Sequence, residues 1–205
     1  MFYDTKTNDH KLPHDPYMAL IAPRPIGWIS SLSENGIANL APYSFFNGVG
    51  ANPKMLMFSS DGIKDSATNI AASGEFTFNI VSDNLKDEMY RSSTPCPAGV
   101  SEFEYANIES APGELVKCPR VASAYASMEC KVLHVINPID LNGDKTNNHI
   151  FIGQVVGIHI SEDAVRDGRF DLTVVKPVSR LGYLDFATVT DVYGMGPMPQ
   201  YSNGE

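Results

Sequence analysis

The sequence predicts a mainly β domain, an antiparallel barrel accompanied by a few short helices. The first observation is a hairpin signal across residues 23–46, where two β-prone runs flank a polar loop that ends in Gly36. The second is a pair of long β-prone runs, 121–135 and 149–159, with little helical periodicity around them. Strands that succeed one another without long helices favour an antiparallel barrel over a βαβ fold.

The other elements follow from local signals in the order of the chain. Turn residues, caps and apolar periodicity predict a polar extended lead-in at 1–16, a strand or helix turn at 17–21, a Gly-rich turn at 47–52, strands at 54–60 and 75–81, helices after Asp65 and after Ser82, a loop at 94–100, a helical turn at 101–106, a last strand at 170–176 and a Gly/Pro-rich tail at 191–205.

The second arm of the hairpin carries a proline. Because Pro42 donates no backbone hydrogen bond, this arm is predicted to be an edge strand or to bulge. Such an edge exposes backbone N–H and C=O groups that can pair with the polar rim of a planar ligand. Spacing alone also allows an ordinary barrel hairpin.

The helix after Lys64 combines several features of an anion site. Asp65 or Ser66 is expected to cap its start and Gly74 to end it. The free N–H groups of its first turn and the positive end of its dipole meet the Lys64 ammonium at one point. The other reading is a capped surface helix with a solvated lysine.

Composition excludes several classes of partner. The 205-residue chain suits one domain spanning 1–205, and its formal net charge of -9 argues against nucleic acid and anionic membranes. No apolar run approaches the roughly 20 residues that span a bilayer. Three separated cysteines and no recognisable signal peptide lead us to expect a cytoplasmic protein.

Sequence motifs for other chemistries are missing. The chain contains no Gly-x-Ser-x-Gly, no His-Glu-x-x-His and no Gly-x-Gly-x-x-Gly motif. His10 and His14 are four residues apart, but Pro13 and Pro16 disfavour a helix there, so no metal site is predicted.

Four stretches carry a family resemblance. Pro-Arg-Pro-Ile-Gly-Trp-Ile-Ser-Ser at 23–31, Asn-Leu-Ala-Pro-Tyr-Ser-Phe-Phe at 39–46, Lys-Asp-Ser at 64–66 and the closing segment 177–183 resemble the flavin reductase-like family, the FMN-binding split β-barrels. The resemblance extends from about Tyr17 to Tyr183. It implies an FMN-binding split barrel of the antiparallel Greek-key type.

The resemblance also implies cofactor contacts. Ser30 and Ser31 would contact ribityl or phosphate oxygens, and Asp65 would cap the helix or hold Lys64. The full implied set is Trp28, Ile29, Ser30, Ser31, Asn39, Leu40, Ala41, Pro42, Tyr43 and Ser44 along the hairpin, with Ser59, Lys64, Asp65 and Ser66 around the phosphate.

For each of four residues the sequence allows two interpretations. Trp28 is a core or interface residue or else a stacking partner of the flavin. His149 lies near the flavin or nicotinamide, or is a structural histidine at a strand end. Arg24 and Arg180 each pair with a phosphate or with an acidic residue.

The function implied by the resemblance is that of an NAD(P)H-dependent flavin oxidoreductase. Hydride would pass from nicotinamide C4 to flavin N5, with FMN as cofactor, FAD as an alternative and NAD(P)H as a transient co-substrate. The family implies a homodimer with the flavin in a groove at the subunit interface. Two alternatives are a flavin-binding electron carrier or sensor without reductase activity, and a related split barrel that binds pyridoxal phosphate or haem.

Overall fold

Short strands and helices alternate irregularly along the chain. The computed structural model describes residues 1–97 and 99–197. The strands are β1 (Arg24–Pro25), β2 (Gly27–Leu32), β3 (Ala38–Tyr43), β4 (Phe46–Ala51), β5 (Lys54–Asp61), β6 (Glu75–Asn79), β7 (Ser110–Ala111), β8 (Arg120–Val121), β9 (Ala126–Ile136), β10 (Asn148–Ile160), β11 (Val165–Arg166), β12 (Arg169–Phe170), β13 (Val178–Arg180) and β14 (Phe186–Thr188). The helices are α1 (Tyr17–Leu20), α2 (Asp65–Ser73), α3 (Lys86–Arg91), α4 (Glu102–Tyr105) and α5 (Leu172–Val175), with 3₁₀ turns at Asp83–Leu85 and Glu162–Ala164.

Seven strands form one antiparallel sheet in the order β3-β2-β6-β9-β10-β5-β4. The two edge strands, β3 and β4, are consecutive in the chain and only two residues separate them. Three Cα–Cα steps reach at most about 11 Å, so the sheet must curl until its edges approach each other. The Ser59 N–H of β5 donates to the carbonyl of Phe45, in the connection between the two edges, at 2.8 Å. The predicted antiparallel barrel is therefore confirmed.

Strand β2 lies between two apolar layers. Ile29 points into the barrel interior with Phe58, Phe76 and Phe151, and Trp28 points the other way into a second cluster that packs outside the sheet. Neighbouring strand residues face opposite sides, so a strand covered on both faces buries all its side chains. The second cluster contains Ile26, Leu40, Val81, Leu85, Met89, Phe103, Ala106, Ile108, Val121, Ala124 and Val178.

The hairpin and the first long helix form as predicted. Gly36 closes the β2–β3 turn at φ 79°, and β3 is an edge strand. The β2–β3 register is unbroken past Pro42, so the strand does not bulge there. Helix α2 ends at Gly74 in the left-handed region at φ 69°, but Lys64 occupies its N-cap position instead of Asp65 or Ser66.

Three predicted boundaries are wrong. Residues 47–52, predicted as a turn, belong largely to strand β4, which tolerates its glycines because it is an edge with one partner, β5. Residues 170–176, predicted as a strand, form β12 and the helix α5, whose start is capped when the Asp171 carboxylate accepts from Thr173 N at 2.8 Å. The run 121–135 is divided between β8 and β9.

A smaller sheet of three strands, β1-β13-β14, joins the start of the hairpin to the closing segment. It pairs Arg24 with Arg180 and Pro25 with Ser179. No helix among residues 1–97 and 99–197 has both the length and the apolar character that crossing a membrane requires. The tail beyond residue 197 lies outside the described residues.

Candidate functional site

A cavity of about 400 Å³ opens between strand β3, the first turn of α2, the segment that follows α3, and α4. This volume falls within the range of about 300–1,000 Å³ typical of small-molecule sites. We call it the hairpin cavity. It is lined by Asn39, Ala41, Pro42, Tyr43, Lys64, Asp65, Ser66, Ser92, Ser93, Thr94, Pro95, Cys96 and Glu102.

A buried chain of hydrogen bonds joins three elements at this cavity. The Ser66 hydroxyl donates to Asn39 Oδ1 at 2.5 Å, and Asn39 Nδ2 donates to Glu102 Oε2 at 2.9 Å. The same Glu102 oxygen accepts the Leu40 backbone N–H at 3.1 Å. The start of α2, the edge strand and α4 are thus held in fixed relative positions around the ligand space.

The outer edge of β3 differs from the predicted one. Leu40 N–H is already bound to Glu102, and by the strand period Pro42 faces the same side without an N–H to offer. This part of the edge therefore presents carbonyl oxygens to a ligand instead of both donors and acceptors. A ligand that binds here must supply the donor.

The start of α2 provides donors beside this edge, since the Ser66 hydroxyl bonds directly to Asn39 of β3. Its first N–H groups have no partner within the helix, because the first intrahelical bond runs from Thr68 N to Lys64 O at 2.9 Å. Lys64 is exposed beside them, and Asp65 is an acidic residue in the first turn. The Ser66 hydroxyl is buried, with only 1% of the residue exposed. Lys64, Asp65 and Ser66 all line the hairpin cavity, and their contact with a phosphate stays a prediction.

Burial favours the neutral forms of Glu102 and Tyr43 in this cavity. Burial raises the pKa of Glu102, the Leu40 N–H bond lowers it, and the nearby Asp65 charge raises it. Burial also raises the pKa of Tyr43, and the neighbouring hydroxyls of Ser66 and Ser60 lower it in part. Tyr43 is therefore neutral at physiological pH and remains a hydrogen-bond donor.

Residues 92–96 form one wall of the hairpin cavity. From the sequence, only residues 94–96 of this segment were predicted, as the start of a loop. The Ser92 hydroxyl accepts from Trp28 Nε1 at 2.9 Å and donates to the Met89 carbonyl at 2.8 Å, which fixes the segment to the core. Burial, with Glu102 and Asp65 nearby, raises the pKa of Cys96. The thiol is thus kept protonated, and it is unsuited to act as a nucleophile.

Several predicted contacts lie away from the cavity. Trp28, Ile29 and Leu40 are 0% exposed within the two apolar clusters. Ser30 is equally buried and its hydroxyl donates to the Pro119 carbonyl, so it serves the fold. These four side chains are excluded from the cavity because protein covers both faces of β2 and Leu40 packs into the cluster outside the sheet. Ser31 contacts it only indirectly, through its 3.3 Å hydrogen bond to Asn39 Oδ1.

The remaining predicted residues have other neighbours. Ser44 lines a second, adjoining pocket. Ser59 accepts from Asn148 Nδ2 at 3.3 Å on the barrel sheet. His149 is the second residue of β10 and pairs with Ser60. Its Nδ1 lies 3.1 Å from the Asn147 carbonyl, an arrangement that matches the structural interpretation.

Two elements of the hairpin cavity wall were not predicted as site residues from the sequence. Glu102 and the segment 92–96 carry no local motif for a ligand site. The only signal near Glu102 was the helical turn expected at 101–106, and a carboxylate on a short surface helix is usually a solvated residue.

Comparison with known proteins identifies the family. A model described as flavin reductase like domain matches residues 18–177. The chain belongs to the flavin reductase like family. An uncharacterized member from Aquifex aeolicus is 33% identical over 189 residues, which cover 89% of this chain and 92% of the relative.

Solved structures agree with the family assignment. Nitrilotriacetate monooxygenase component B from Bacillus cereus superposes with a TM-score of 0.86 at 28% identity, over 95% of this chain and 98% of that one. A split barrel domain from Shewanella frigidimarina gives 0.77 at 21% identity, over 97% and 94%, and supports the fold alone. The predicted split-barrel fold is confirmed, and its function is flavin-related.

Proposed function

We propose that the chain binds FMN in the hairpin cavity, with the phosphate at the start of α2. The observation that carries this proposal is the convergence of the edge strand β3 and the Lys64–Asp65–Ser66 segment on one cavity in a member of a flavin-binding family. Unpaired helix N–H groups, the dipole and the Lys64 ammonium together favour a phosphate dianion.

The residues of the cavity suit the flavin part by part. Lys64 and the free N–H groups of α2 would hold the phosphate, while Asp65 stabilises the helix through the dipole. Asn39 is oriented by Glu102 and Ser66, and it would position the ring together with the carbonyl edge of β3. Trp28, Ile29, Ser30 and Leu40 have no part in these contacts.

We further propose that the protein is an NAD(P)H-dependent flavin oxidoreductase. When bound, the flavin supplies the hydride-accepting centre that nicotinamide oxidation requires. The protein's own groups would orient the flavin and shield it. The hydroxyl of Tyr43 stays protonated, and the thiol of Cys96 stays neutral beside Glu102. A similar chain, from Bacillus cereus, is named as component B of a monooxygenase, which supports an electron-supplying role.

The phosphate assignment is tested by replacing Lys64 with alanine and comparing two ligands. FMN affinity should fall about 5- to 150-fold, the effect of losing one charge-assisted hydrogen bond, while riboflavin affinity stays unchanged because riboflavin lacks the phosphate. Lys54→Ala, at an exposed lysine on β5, is the matched control. Equal losses for both ligands would place the phosphate elsewhere.

The activity is tested with the FMN-loaded protein and either NADH or NADPH. We expect nicotinamide oxidation well above the rate with free FMN alone. A protein that binds FMN and shows no turnover with either nucleotide would instead be a flavin-binding carrier or sensor. A protein that binds neither FMN nor FAD would remove the basis of both proposals.

We also propose a homodimer with the flavin near the subunit interface. Strand β9 exposes two nearby apolar side chains, Leu133 at 44% and Val135 at 49%. Exposed adjacent apolar residues on a strand are typical of a surface that a second chain covers. Light scattering on the eluting protein, for the native chain and for Leu133→Lys, measures the assembly: a native monomer would contradict this proposal.

A further inference from the structure

A second pocket of about 290 Å³ adjoins the hairpin cavity. Pro42 and Ser93 line both, so the two spaces are neighbours across these residues. We call it the Arg180 pocket, and its remaining lining residues are Ile26, Ser44, Met89, Tyr90, Arg180, Leu184 and Phe186. Its volume is at the lower limit of small-molecule sites and suits one ring better than a nucleotide.

The walls of the Arg180 pocket are apolar and aromatic. The rings of Tyr90 and Phe186 stand almost perpendicular at 87°, with their centroids 6.3 Å apart. Ile26 and Met89 are 5% and 3% exposed, so the inner side of the pocket is fixed by the core. Such walls favour a flat apolar body, and aromatic rings pack well against an aromatic edge or face.

One charged side chain enters this apolar surface. The guanidinium of Arg180 lies over the Phe186 ring, 4.4 Å from its centroid. Its Nη2 donates to the Tyr183 carbonyl at 2.6 Å and its Nη1 approaches the Leu184 carbonyl at 3.5 Å. A guanidinium carries five N–H donors, so these two contacts leave donors for a ligand.

The positive charge here is not neutralised by the protein. Arg24 faces Arg180 across the β1–β13 pair, and the ion pairs among the described residues include neither arginine. Arg24 is 6% exposed, donates to the carbonyls of Met18 and Leu181, and leaves its buried Nε without a partner. Two arginines without an acid, in a chain of net charge -9, form a local surplus of positive charge.

We propose that the Arg180 pocket binds a small single-ring aromatic carboxylate beside the flavin site. The ring packs against the wall that the edge-to-face pair of Tyr90 and Phe186 forms, and the carboxylate takes the planar donors of Arg180, whose fork matches two carboxylate oxygens. The position beside a flavin depends on the proposed function, since the flavin is assigned to the hairpin cavity. Binding of the carboxylate itself does not depend on it.

The test uses benzoate and its neutral counterpart benzamide, titrated calorimetrically into the protein with and without saturating FMN. We expect saturable benzoate binding that is at least about tenfold tighter than benzamide binding. Arg180→Met should remove that preference, and Arg180→Lys should retain part of it. Arg166→Met, at an exposed arginine on β11, is the matched control and should leave benzoate binding unchanged.

Each other outcome overturns the proposal or reassigns the pocket. Equal affinity for benzoate and benzamide, or benzoate affinity unchanged in Arg180→Met, would refute it, as would the absence of saturable binding. Loss of FMN but not riboflavin affinity in Arg180→Met would assign the flavin phosphate to Arg180, which also refutes it. If benzoate binds as expected and FMN does not bind at all, the pocket stands and the proposed function fails.

Discussion

Replacing Glu102 with alanine tests how the hairpin cavity is held together. The carboxylate is 6% exposed, and its Oε2 accepts both Asn39 Nδ2 and the Leu40 N–H. Alanine would leave these two buried donors without an acceptor, at about 1–3 kcal/mol each. Removal of a partly desolvated charge offsets some of this loss. The free energy of unfolding should therefore fall by about 2–4 kcal/mol.

Glu102→Gln separates the hydrogen bonds from the charge. The amide oxygen of glutamine accepts both donors, and no carboxylate remains to be desolvated. Burial raises the pKa of Glu102 in the folded protein, so the folded state binds its proton more tightly than the unfolded chain. The loss of stability that ionised Glu102 causes is absent below the unfolded pKa of about 4.3. It grows as pH rises from there to the folded pKa, and it is complete above the folded pKa.

The assay is urea unfolding at pH 8 and near pH 4 for both variants. At pH 8 the glutamine variant should be at least as stable as the native protein, and the difference should vanish at the lower pH. Glu104→Gln, on the exposed side of the same helix, should change stability by less than about 0.5 kcal/mol. A glutamine variant as unstable as Glu102→Ala at pH 8 would refute the reasoning.

Two further substitutions probe the barrel. Glu129 is 0% exposed, and its carboxylate bonds to three backbone N–H groups and to His159 Nε2 at 2.5 Å. Glu129→Gln keeps only one acceptor oxygen, so the free energy of unfolding should fall by about 2–5 kcal/mol at pH 7. Burial raises the pKa of Glu129, but these hydrogen bonds lower it on balance. The difference in free energy of unfolding between the native protein and Glu129→Gln should therefore shrink as pH falls through the folded pKa. Gly27→Ala would put a Cβ 2.4 Å from Phe46 Cδ2 and should cost about 1–3 kcal/mol in urea unfolding. Gly48→Ala, whose Cβ meets nothing nearer than 3.9 Å, is its control and should be close to neutral.

The parts of the fold that sequence reasoning predicted depend on local signals. Gly36 and the polar loop before it specify the hairpin, and Gly74 specifies the end of α2, because each position needs a positive φ. Pro42 indicated an edge strand for the same kind of reason, since it lacks the donor that a second neighbour would need. The anion site proposed at Lys64 depends on local signals too, as all its groups lie within one helical turn.

The differences between prediction and structure arise where distant segments decide the outcome. Trp28 to Ser31 match the family motif, and the structure buries their side chains because protein covers both faces of β2, which the motif alone does not show. Glu102 was missed because its role exists only when α4 packs against β3, more than 60 positions earlier in the chain. β4 was read as a turn because Gly48 and Gly50 are poor strand formers, although pairing with β5 overrides that preference.

The charges of the hairpin cavity impose an orientation on whatever binds there. The start of α2, with Lys64, favours an anionic group. The Glu102 carboxyl and the carbonyl edge of β3 accept hydrogen bonds and would repel an anion. A ligand with a dianionic group at one end and N–H donors on a flat ring at the other fits in one direction only. FMN has this polarity. Riboflavin lacks the phosphate that we propose to lie at Lys64, so comparing the two ligands is the sharpest test of the site.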